Sequence, residues 1–163
     1  MEIFASVGGT IWTVFFFIVA LSIIIFVHEY GHYIVGRWSG IHAEVFSLGF
    51  GPVIWSRVDA RGTRWQLAAL PFGGYVKFLG DADASSVRPA DVSGLTPGER
   101  RHTMAGAPLW ARASTVAAGP VFNFILTYVV LAGLLLWTGL PQQEPTVGKL
   151  MPTPFVGETI KEG

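Results

Sequence analysis

Residues 23–37 read Ile-Ile-Ile-Phe-Val-His-Glu-Tyr-Gly-His-Tyr-Ile-Val-Gly-Arg, and they close a stretch with no charged side chain from Ile3 to Val27. Two histidines and an acid therefore sit at the end of a segment suited to lipid. Histidines four apart on a helix are separated by about 1.1 turns and face the same way. Both imidazoles of His28 and His32 can thus reach one tetrahedral zinc. Glu29, beside the first of them, is placed to take a proton from a water at the metal and pass it to a leaving amine. A pH-sensitive cluster or a hydrogen-bonded contact between helices would use the same three residues. Location favours the metal: an acid within a span costs about 2.5–3.5 kcal/mol or more and is functional by default.

Working outward, the apolar run from Ile11 to Val27 covers about 26 Å at 1.5 Å per residue, against a hydrocarbon core roughly 30 Å thick. It predicts a first transmembrane helix over residues 1–37, with His28 near the far edge of the core. Met1-Glu2 lacks the basic start of a signal peptide, and no small-residue cleavage site follows, so the helix is expected to be retained. A second uncharged block, Ala113 to Gln143, predicts a second transmembrane helix over 113–140. Pro120 fits either the first turn of that helix or a kink within a longer one. The chain has 163 residues, 13% of them charged, and a mean hydropathy of +0.49. A membrane protein, mainly α, is the fold class these numbers support.

Nine of the eleven basic residues fall between Arg37 and Arg112, against six acids in that segment. The excess of lysine and arginine on cytoplasmic loops predicts that residues 38–112 are cytoplasmic and that both chain ends lie outside. A formal net charge of zero gives no electrostatic case for nucleic acid, and the absence of cysteine excludes disulfides and thiolate zinc sites. Within the loop, Val53-Ile54-Trp55 and Trp65-Gln66-Leu67 flank Asp59-Ala60-Arg61-Gly62, the pattern of a β-hairpin over about 45–78. Asp81 to Gly98 reads as a connection. Residues 141–163 have strand-like pieces but too little sequence to bury a core.

A catalytic zinc ordinarily has three protein ligands and one open position. The chain supplies two with the right spacing. In the metzincin pattern the third histidine falls at position 38, which is Trp38. His42, Glu44, Asp59 and His102 are possible donors, each as readily a loop residue facing water.

Taken together, His28-Glu29-Tyr30-Gly31-His32, Gly49-Phe50-Gly51-Pro52, Pro71-Phe72-Gly73-Gly74-Tyr75-Val76-Lys77 and Ala118-Gly119-Pro120 with Asn123-Phe124 resemble the site-2 protease family of intramembrane zinc metalloproteases, in its bacterial regulator-of-sigma-E branch. The resemblance covers nearly the whole chain. It implies Zn2+ on His28 and His32, Glu29 as general base, and hydrolysis of peptide bonds in or near the transmembrane segments of other membrane proteins. Such substrates include anti-sigma factors and remnant signal peptides. It implies a membrane-associated hairpin around residues 53–70 whose strand edges would hold an unwound substrate, with Trp55, Trp65, Leu67 and Asn123 as candidate substrate contacts. A multi-pass location in the bacterial inner membrane, in contact with the lipid bilayer, also follows from it.

The family's third ligand is an aspartate in a Leu-Asp-Gly motif on a later helix, beyond one or two PDZ domains, and this sequence has no Leu-Asp-Gly. Residues 141–163, with Val147-Gly148-Lys149-Leu150, resemble the opening of such a PDZ domain. The expectation is an N-terminal fragment with weak zinc binding and little proteolysis by itself. Two other readings use the same residues: a non-catalytic membrane module that binds transmembrane segments or another subunit, and a membrane zinc protease with a downstream glutamate ligand.

Overall fold

The computed structural model describes residues 2–81 and 94–139, with side chains from residue 9 onward. Helix α1 runs Glu2–Trp38, strands β1 and β2 are Ala43–Val58 and Arg64–Phe78, α2 is Pro97–Arg101 and α3 is Leu109–Thr138. The expected PDZ opening, residues 141–163, and most of the connection from Asp81 to Gly98 lie outside the described residues.

Gly9–Trp38 and Leu109–Thr138 are long and apolar enough to cross a membrane. Phe15, Phe16, Phe17 and Ile23 on the first are exposed, as are Phe124, Ile125 and Tyr128 on the second. In water such surfaces would be a liability; against acyl chains they cost nothing, because a helix satisfies its backbone groups internally. The helix around the second apolar block begins at Leu109, directly after Pro108 and four residues before the expected 113, and so takes in Arg112. Pro120 lies inside it, so the longer, proline-containing helix is the one that forms. The chain divides into two compact units, residues 1–128 and 129–163.

The hairpin forms where the alternating pattern and the Asp59 turn place it. Asp59 Oδ1 accepts from the amides of Arg61 (2.8 Å) and Thr63 (3.1 Å), and its Oδ2 accepts from Trp65 Nε1 (3.1 Å). This is an Asx-type turn, in which the side chain substitutes for a backbone acceptor. β1 and β2 pair antiparallel, but the register breaks repeatedly. Gly49 and Gly51, at φ 91° and 84°, take left-handed conformations open to glycine, and β1 bends there. As a result Phe46, Ser47 and Leu48 have two sets of partners: Val76, Tyr75 and Gly74 on one edge, Trp65, Gln66 and Leu67 on the other. Gln66 Nε2 ties the layers by donating to Ser47 Oγ and Tyr75 OH, each at 3.1 Å.

The core sits at the base of this hairpin. Tyr33, Ile41, Ala43, Phe46, Phe78, Ala107 and Ala111 form one buried cluster, drawing together the end of α1, both strands and the start of α3. Phe46 stacks on Trp65 with ring centroids 4.4 Å apart, and Tyr33 meets Trp65 edge-on at 5.0 Å. Paired rings of this kind add about 0.5–1.5 kcal/mol each beyond the area they bury. The short α2 is held by a reciprocal cap between Thr96 and Glu99. Those hydrogen bonds hold the Glu99 carboxyl below its ordinary value.

Candidate metal centre

His28, Glu29 and His32 lie on the last three turns of α1, about 14 Å along the axis from His28 to Arg37. The polar end of α1 is thus separated from the first histidine by two to three helical turns. The imidazoles stack edge to face, centroids 4.9 Å apart with planes at 80°. Both turn toward α3.

What lets α3 come close is the absence of side chains. A Cβ added to Gly31 would lie 2.7 Å from the Ala118 carbonyl oxygen and 2.9 Å from Phe122 Cγ. A Cβ on Gly36 would meet Thr115 Cγ2 at 3.1 Å as well as the Phe78 ring. Contacts therefore run from Gly36 against Thr115 through Gly31 against Ala118 to His28 against Asn123, as antiparallel helices require. Small residues at such crossings are the usual device for close helix packing in lipid.

Gly119 has a second use. A Cβ there would fall onto His32 Nε2 and stand 2.7 Å from His28 Nε2. Both ring nitrogens therefore aim at one small hollow over a bare stretch of α3. With no side chain at Gly119 both Nε2 atoms are left uncovered, and His28 and His32 would hold zinc through them. From behind, α3 holds both rings: His32 Nδ1 is 2.7 Å from the Thr115 main-chain oxygen, and His28 Nδ1 is 3.1 Å from the Asn123 side-chain amide. A metal-binding imidazole usually has its other nitrogen held in this way. The residues present fit the two-imidazole half of a zinc site. No third histidine, cysteine, aspartate or glutamate joins them among the described residues.

Beside the histidines is a cavity of about 270 Å³ lined by Glu29, His32, Gly74, Tyr75, Val76, Phe78 and Thr115, among others. A Cβ on Gly74 would stand 3.1 Å from Glu29 Cγ, so this glycine lets β2 approach the acid directly. Residues 74–78 pair with β1. Gly74, Tyr75, Val76 and Phe78 line the cavity that contains Glu29.

Residues 16–161 match the profile of peptidase family M50. The chain belongs to peptidase family M50. A protein of Agrobacterium fabrum, provisionally named a zinc metalloprotease, is 52% identical over 137 residues, 82% of this chain and 36% of that protein. A provisionally named zinc metalloprotease of Rhizobium meliloti is 46% identical over 142 residues, covering 86% of this chain and 38% of its own. The regulator of sigma-E protease of Salmonella typhimurium is 38% identical over 148 residues, covering 91% and 31%. This M50 chain spans about a third of the length of the curated relatives it matches. The resemblance to site-2 proteases noted from the motifs holds at the level of the family.

The structure distributes the remaining sequence candidates unevenly. Glu44 pairs with Lys77 at 3.5 Å, Asp59 is occupied by its own turn, and His102 Nδ1 is 2.7 Å from the Gly40 carbonyl oxygen. None of these joins His28 and His32 among the described residues, and neither does His42. Trp55 and Leu67 face one another across the hairpin and are exposed. Trp65 is packed on Phe46 and bonded to Asp59, at the base of the hairpin. Asn123 lies at the histidines. Sequence reasoning missed Thr115, Gly119 and Gly74. Gly119 and Gly74 stood inside quoted motifs, but only the packed helices and strand reveal what each makes room for. Thr115 contributes a main-chain atom, which leaves no mark in sequence.

Proposed function

We propose that this chain carries the zinc-binding half of an intramembrane endopeptidase that cuts other membrane proteins within or near their transmembrane segments. The observation that carries the reading is the convergence of His28 Nε2 and His32 Nε2 on the hollow at Gly119, with Glu29 on the adjoining cavity. His28 and His32 would hold zinc through Nε2. When bound, zinc supplies Lewis acidity toward the scissile carbonyl and lowers the pKa of water in the site. Glu29 takes the proton from the attacking water and delivers it to the departing amine.

A transmembrane helix hides its peptide groups in its own hydrogen bonds, so a substrate must be unwound before its carbonyl can be attacked. Residues 74–76, on the wall of the Glu29 cavity, would receive an extended segment by strand addition, a general mode of peptide capture. A peptide added there lies along the wall of the Glu29 cavity. The exposed outer hairpin, with Trp55 and Leu67, would meet the flanking apolar parts of the substrate. Single-span membrane proteins such as anti-sigma factors or remnant signal peptides are the expected class. The bacterial inner membrane, with residues 38–112 on the cytoplasmic side, is the expected location. The residues from 141 onward would open a PDZ domain.

Glu29→Gln in the full-length protein tests the assignment. Cleavage of a single-span substrate should fall about 10²–10⁴-fold, the usual worth of a general base, while the zinc content stays unchanged. Retained cleavage in that variant would remove Glu29 from the role.

A further inference from the structure

α3 holds the two histidines by different kinds of group, and the difference has chemical content. The Thr115 main-chain oxygen can only accept. The proton of neutral His32 therefore sits on Nδ1, and Nε2 keeps its lone pair toward Gly119. The Asn123 amide can either donate or accept, depending on which end it turns to His28.

With its NH2 group toward His28 Nδ1, at 3.1 Å, the amide donates and the ring proton is forced onto Nε2. A protonated Nε2 has no lone pair for a metal. The same orientation strands Asn123 Oδ1, the single buried side-chain nitrogen or oxygen without a partner among the described residues. The two ends of an amide have nearly the same shape, so the hydrogen-bond network decides between them. Turned over, Oδ1 accepts from His28 Nδ1–H. His28 Nε2 then has a free lone pair, and both rings present the same tautomer to the Gly119 hollow. The amide NH2 is left open to an acceptor from substrate or from another part of the protein. Thr115, Gly119 and Asn123 are spaced by four along α3, so one helix face delivers an acceptor, a hollow and a second acceptor in order.

We propose that Asn123 is a positioning residue for the metal: its Oδ1 accepts from His28 Nδ1–H, selects the tautomer that frees Nε2, and fixes the plane of the ring. Thr115 O does the same for His32 through the main chain, where substitution cannot remove it. Asn123 is thus the one of the two holds that mutation can test. The inference rests on the zinc reading above.

The experiment measures zinc affinity of the full-length protein by competition with a chelator of known affinity. Asn123→Leu is close in size and cannot accept; Asn123→Asp can. Loss of such a partner ordinarily weakens a metal about 10–100-fold, and that is the drop expected for Asn123→Leu, with the melting temperature of the metal-free protein unchanged. Asn123→Asp should stay near the parent. If Asn123 served only to pack α1 on α3, Asn123→Leu would keep its zinc, and that result overturns the proposal. Should the leucine variant fail to fold, 15N-histidine spectra of the zinc-loaded parent decide. A His28 Nδ1 proton protected from solvent exchange is expected, and one exchanging as fast as in free imidazole overturns it. A parent protein that takes up no zinc at all strikes the underlying reading instead.

Discussion

β1 passes through two environments within one strand. Residues 43–49 are largely buried, with Phe46 and Ser47 in the core, whereas every residue from 50 to 58 is exposed. The inner half has partners on both edges and anchors the wall of the Glu29 cavity. The outer half presents Val53, Ile54 at 69% and Trp55 at 54% exposure, joined by Leu70 and Phe72 from β2. An apolar hairpin tip of this kind would be an aggregation site on a soluble protein. Beside two helices able to cross a membrane, the proposed function makes it a surface for lipid or for the apolar segment of another protein. On that proposal the inner half sets geometry and the outer half meets what arrives.

The two regions should respond independently to mutation. The largest effect is expected at the histidine site beside the inner one, where α1 and α3 meet. Gly119→Ala places a methyl group in the hollow faced by both Nε2 atoms, and the imidazoles, being side-chain ends, can swing away at little cost to the fold. Zinc affinity in the full-length protein should fall on the order of 100-fold or more, since even loss of an outer-shell partner costs about 10–100-fold. A chelator competition reads this, with circular dichroism as the control for folding. Unchanged zinc affinity would separate the hollow from the metal.

Gly31→Ala should do the reverse. Its methyl group meets the Ala118 carbonyl oxygen and the Phe122 ring, and a backbone atom cannot step aside without parting α1 from α3. Overpacking of this kind costs about 1–3 kcal/mol. A lower melting temperature in detergent, with zinc binding weakened only as the helices separate, is the expected result.

At the outer region, Ile54→Asp removes an apolar side chain that is 69% exposed. Surface changes ordinarily stay within about 0.5 kcal/mol, so stability in detergent and zinc affinity should hold. Cleavage of a membrane-embedded substrate should weaken, while the variant's metal content remains that of the parent. Loss of zinc on this substitution would mean that tip and site are coupled, contrary to the division drawn above.

The sequence made some of this visible and not the rest, for physical reasons. Charge-free runs announce apolar helices because lipid tolerates almost nothing else. The paired histidines were legible because helical periodicity alone puts residues 28 and 32 on one face. The hairpin was legible from Asp59-Ala60-Arg61-Gly62, whose side-chain acceptor and glycine are local properties. The double pairing of residues 46–48 was not, since it depends on bends at Gly49 and Gly51 that bring two separate parts of β2 to the same segment. Trp65 reads from sequence like Trp55, yet one is packed on Phe46 and the other is exposed. Alternation places side chains on faces but cannot say which part of a long hairpin reaches the core. Asn123 was visible as a polar residue in an apolar helix, and only its 3.1 Å approach to His28 showed which group it serves.

Metal analysis coupled to activity tests the central claim most directly. The full-length protein should bind one zinc per chain, lose zinc and cleavage together on chelation, and recover both when zinc alone is returned. Undiminished cleavage by protein stripped of all metal would contradict the account.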